Sequence, residues 1–84
     1  MVARLTALAH TRIASGELPC LVLPTVWAET SVNQTCSLCR CTIPPREMSY
    51  EVNVKAQAQV LHFHIMCHMA WTMVCLERPA AAPG

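Results

Sequence analysis

Apolar and polar positions follow three different rhythms along this chain, and the changes of rhythm mark its elements. Val2, Leu5, Leu8, Ala9 and Ile13 recur at steps of three or four and share one face of a helix. Gly16 stands where a helix C-cap belongs and Pro19 follows it, so the spacing predicts a short amphipathic helix ending near 16. From Leu18 to Trp27 the residues are mostly apolar but interrupted by Pro19 and Pro24, which predicts an extended segment lying across the core rather than a central strand. Thr30 to Thr35 is polar and reads as a loop. Met48 to Val54 then alternates with period two, a strand signal. Val60 to His64 reads as a second strand, although the residues between lack the Gly or Asn-Gly of a tight hairpin. Ile65 to Leu76 contains no Gly or Pro. Met66, Ala70, Met73 and Glu77 form one stripe and Cys67, Trp71, Val74 and Cys75 another, which predicts a helix covered on more than one side.

These elements define one α+β domain over residues 1–84, with an N-terminal helix at 1–16 and an extended segment and loop at 17–35. A cysteine-bearing module follows at 36–76 and a disordered tail at 77–84. The chain has 84 residues, 54% of them hydrophobic but only 5% aromatic, so its core must come from aliphatic side chains. At this size a core benefits from a staple.

The staple is written in the cysteines. Cys36, Cys39, His64 and Cys67 spell C-x2-C-x24-H-x2-C, two short ligand spacings brought together by the fold. Three thiolates and an imidazole suit one tetrahedral zinc per chain in a closed structural site. His64 and Cys67 are three residues apart at the start of the last helix, so both reach the same side. Cys41 extends the turn to C-x2-C-x-C and is an alternative ligand to Cys39. A three-thiolate turn with Cys67 also suits an iron–sulfur cluster. His62, Met66, His68, Met69 and Met73 make a soft-donor patch that suits copper(I), or simply core packing. Thiol redox chemistry is the rival reading of Cys36 and Cys39, but such a dithiol belongs at a helix N-terminus after a strand, and here two prolines and a hairpin follow. Cys20 reads as a small buried hydrophobe. Cys75 lies two helical turns beyond Cys67, too far to join its coordination sphere.

The order of cysteine turn, β-hairpin and helix over residues 36–76 resembles the treble-clef zinc fingers, and the H-x2-C pair is similar to the first half-site of LIM domains. A LIM domain has a second zinc site, which this chain does not complete. A wider set, Ile13 to Pro19, Cys36 to Cys39, Ile43, Glu47, Tyr50 to Val52, Phe63, His64, Cys67 and Trp71, resembles a group of small bacterial proteins of unassigned function. That resemblance implies an architecture and no activity.

Charge narrows the partners. Six Lys and Arg against five Glu leave a formal net charge of +1, without the clustered basic face of most nucleic-acid binders. The aliphatic excess favours a protein-interaction or oligomerisation module, with Trp27 as an exposed contact. The alternative is a small nucleic-acid-binding finger using Arg40, Arg46 and Lys55. The chain has no Asp and no Ser/His/acid constellation, and its two glycines are Gly16 and Gly84, so no enzyme is expected. The first residues lack the continuous apolar stretch of a secretory signal, and the run at 18–28 is too short to span a bilayer. A reducing cytoplasm is therefore the expected location, where C-x2-C pairs bind metals more often than they form disulfides.

Overall fold

A computed structural model describes residues 2–20, 25–54 and 59–77. In chain order they form helix α1 (Val2–Ala14), strands β1 (Thr25–Thr30), β2 (Gln34–Thr35), β3 (Thr42–Ile43), β4 (Met48–Val54) and β5 (Gln59–His64), and helix α2 (Ile65–Glu77). This is an α+β arrangement in which every strand pairing is antiparallel.

α1 ends where the sequence predicts. Gly16 has φ of 86°, and its N–H donates to the Ile13 carbonyl at 3.1 Å while Glu17 N–H donates to the Arg12 carbonyl at 2.9 Å. These are the two bonds of a Schellman cap, which needs a residue in left-handed conformation at that position. The closure turns the chain back along α1 and delivers Leu18, which is buried.

The main sheet has the order β1-β4-β5. β1 is an edge strand of six residues, paired from Thr25↔Asn53 to Thr30↔Met48. The sequence reads residues 18–27 as an extended segment rather than a central strand, and of these Thr25 to Trp27 lie in this edge strand. Alternation on β4 and β5 aims Val52, Val54, Leu61 and Phe63 into the core, where they meet Cys67, Ala70, Trp71 and Val74 of α2. α1 packs on α2, with Ala9 fully buried and Leu5, Leu8 and Ile13 around it. Trp71 stacks on Phe63, ring centroids 5.0 Å apart, and its indole N–H donates to the Pro19 carbonyl at 2.9 Å. Large, few and central, these two aromatics compensate for the low aromatic content.

β2 and β3 form a separate two-residue ladder, Gln34↔Ile43 and Thr35↔Thr42. The sequence reading has a loop at 30–35, because a ladder this short leaves no period to detect. Buried Ser31 organises it. Its hydroxyl donates to the Ile43 carbonyl at 3.0 Å and accepts the Asn33 N–H at 3.1 Å, while its backbone N–H donates to the Glu47 carbonyl at 2.8 Å.

Cys20 departs from expectation. It is not a buried hydrophobe but is exposed and disulfide-bonded to Cys75 near the end of α2, with Cα atoms 5.2 Å apart. The Trp71–Pro19 hydrogen bond lays this segment along α2, a juxtaposition that a separation of 55 residues conceals in the sequence. Leu21 to Pro24 of the extended segment, Lys55, and residues 78–84 of the expected tail lie outside the described residues, whereas Glu77, expected to begin that tail, is the last residue of α2. Among the described residues, no helix is long and apolar enough to cross a membrane.

Candidate metal centre

The hairpin of β2 and β3 carries a cysteine turn at its tip. Cys36 N–H donates to the Cys41 carbonyl at 2.9 Å and Arg40 N–H to the Cys36 carbonyl at 3.0 Å, closing a knuckle in which Arg40 takes a φ of 66°. The left-handed region is uncommon for a side chain other than Gly, and the two bonds hold Arg40 there. Ser37 then fastens the knuckle to β5. Its N–H donates to the His62 carbonyl at 2.6 Å, and its hydroxyl accepts the His62 N–H at 3.1 Å.

This attachment places the turn beside the junction of β5 and α2. His64 is the last residue of β5 and Cys67 lies in the first turn of α2, with no linker between the elements. Each of Cys36, Cys39, His64 and Cys67 offers a donor atom within 4.8 Å of the others. His64 Nδ1 lies 3.4 Å from Cys39 Sγ and 3.8 Å from Cys67 Sγ. Cys36 and Cys67 are buried, whereas Cys39 and His64 are partly exposed. Such a set of three sulfurs and one nitrogen could hold a metal ion.

Local electrostatics fit a cation. Burial pushes the Cys36 thiol up, but backbone amides of Cys39, His64 and Leu38 donate to its sulfur and hold it at about 7. Cys39 and Cys67 are raised, by burial first and then by the charge of Cys36 beside them. Three thiolates this close would repel one another, and a metal ion held among them would offset that repulsion.

Cys41 stands outside the cluster. It is an exposed free thiol whose Sγ lies 3.8 Å from the Cys39 carbonyl. Among the soft donors on α2, His68 packs between Tyr50 and Trp71, at ring distances of 4.5 and 5.8 Å, and burial lowers its basicity. His62 faces Glu51 at 4.0 Å. Met66, Met69 and Met73 are exposed.

Among the residues considered for partners, Trp27 is 56% exposed on β1. Arg40 is engaged with Glu17 at 2.5 Å, and Arg46 is exposed. Sequence reasoning misses the residues that support the knuckle. Ser37 is one, and Arg12 is another, donating through Nε to the Leu38 carbonyl at the centre of the turn. Glu17 accepts from Ser15 at 2.9 Å and pairs with Arg12 at 3.2 Å; Ser15 first, then both arginines, hold its carboxyl below the usual range. Long-range contacts of this kind carry no local signal.

No family model, curated protein or solved structure matches this chain.

Proposed function

We propose that the chain is a small module stapled by one structural zinc ion and built to associate with protein through apolar surface. The observation that carries the metal reading is the convergence of Cys36, Cys39, His64 and Cys67 within 4.8 Å. Four protein donors fill a tetrahedral shell and leave no position for a substrate or water, so the role is structural rather than catalytic. The thiolate-rich set with an imidazole favours zinc over magnesium or calcium, which take oxygen ligands. A knuckle on one hairpin, a second hairpin, and a helix that begins at the site support a treble-clef-like framework.

Support for association comes from α2. Met66, Met69, Met73 and Leu76 recur at steps of three and four along the helix and are between 40% and 79% exposed, with Ile65 beside them. A continuous apolar stripe on a charge-poor helix suits a protein surface better than a phosphate backbone. Native mass spectrometry of protein purified without added metal tests both parts. One zinc per chain, together with a dimer or a co-purified protein partner, is the expected outcome. A metal-free chain or an iron–sulfur chromophore would overturn the metal reading. A strict monomer with salt-sensitive binding to DNA would overturn the association reading.

A further inference from the structure

The peptide unit between Leu38 and Cys39 lies between Arg12 and the cysteine cluster. Its carbonyl accepts from Arg12 Nε, and its N–H is among the backbone groups that lower the Cys36 thiol. Because the peptide is planar and polarisable, a cation on the oxygen strengthens the N–H as a donor to the sulfur. Arg12 is 17% exposed and is itself fixed by Glu17, which also pairs with Arg40. A divalent ion with three thiolates and a neutral imidazole carries net negative charge, and Arg12 brings a cation to the carbonyl of Leu38, next to the ligand Cys39.

Resting on the zinc reading, we propose that Arg12 is a positioning residue of the metal site, acting through the Leu38–Cys39 peptide, and that it couples metal occupancy to the docking of α1. The coupling is reciprocal. A contact that helps the knuckle bind metal is strengthened when metal is bound, so the ion holds α1 against α2 by the same factor that docked α1 adds to metal affinity. Partners in the outer shell of metal sites commonly contribute about 10–100-fold in affinity.

The full chain tests this with Arg12→Gln, which keeps much of the aliphatic stem and removes the charge. Arg12→Lys restores a cation, and Arg4→Ala is an exposed control on the same helix. Affinity is read by cobalt(II) titration through thiolate charge-transfer absorption and by zinc competition against a chelator. Docking of α1 is read by amide hydrogen exchange with and without metal. Arg12→Gln is expected to lose about 10–100-fold in affinity and to lose the metal-dependent protection of α1. Arg12→Lys is expected to recover part of both, and Arg4→Ala to match the unaltered protein.

An Arg12→Gln affinity within about twofold of the unaltered protein, well short of the usual outer-shell effect, overturns the proposal. So does protection of α1 that is indifferent to metal. Loss of helical circular dichroism in both Arg12 variants, with no recovery by lysine, would mark Arg12 as merely structural and also overturn it. Failure of the unaltered protein to bind cobalt or zinc is a different result, because it removes the zinc reading itself.

Discussion

His64 Nδ1 and Cys39 Sγ lie 3.4 Å apart although 25 residues separate them in sequence. Two local devices create that proximity. Ser37 pins the cysteine turn to the backbone of His62, and the absence of a linker after His64 sets the imidazole and the first turn of α2 against the same turn. The backbone and hydroxyl bonds of Ser37 thus bring the two distant pairs of donors together.

Replacing Cys36, Cys39 or Cys67 with serine should abolish or greatly weaken metal binding, since a hydroxyl is a poor donor beside thiolates. Cys41→Ser should keep one ion per chain, because Cys41 is exposed and outside the donor cluster. Metal analysis of the four variants checks this. An essential Cys41 with a tolerant Cys39 would move the ligand set by two residues.

Metal uptake should release protons. Cys36 titrates at about 7, while Cys39 and Cys67 are raised above the ordinary thiol value of 9.0 and are protonated at neutral pH. Binding must therefore expel roughly two to three protons, and apparent affinity should climb as pH rises from 7 to 9. Proton release in weakly buffered solution measures the number directly. Affinity independent of pH over that interval would contradict the assignment.

Cys75→Ser should lower stability without changing metal stoichiometry. The Cys20–Cys75 bond spans 55 residues and ties the segment before β1 to the end of α2, so it restricts the unfolded chain strongly. A loss of about 2–4 kcal/mol is expected, measured by denaturant unfolding of the metal-loaded protein. An unchanged midpoint would mean that the bond does not form in solution.

Trp71→Phe should cost about 1–3 kcal/mol. Phenylalanine keeps an aromatic ring against Phe63 but leaves the Pro19 carbonyl without its donor. Loss of protection should concentrate at residues 17–20, which hydrogen exchange reports. Uniform loosening across the sheet would instead point to a packing defect.

Periodicity and local chemistry make much of the fold legible. The α1 stripe ends at Gly16 because only a residue tolerant of a left-handed φ closes a Schellman cap, and the period-two pattern of Met48 to Val54 follows from one buried sheet face. The four donors of the site are visible as two short spacings, since i to i+3 geometry on a turn or helix is local.

What only tertiary structure decides is long-range. Cys20 meets Cys75 because Pro19 is held by Trp71, and Arg12 meets Leu38 because α1 packs on α2. The turn lies beside His64 because Ser37 bonds to His62. None of these pairs has a spacing or composition that marks it. Each depends on how buried faces stack, and that is settled by the packing of the whole core rather than by any stretch of residues within it.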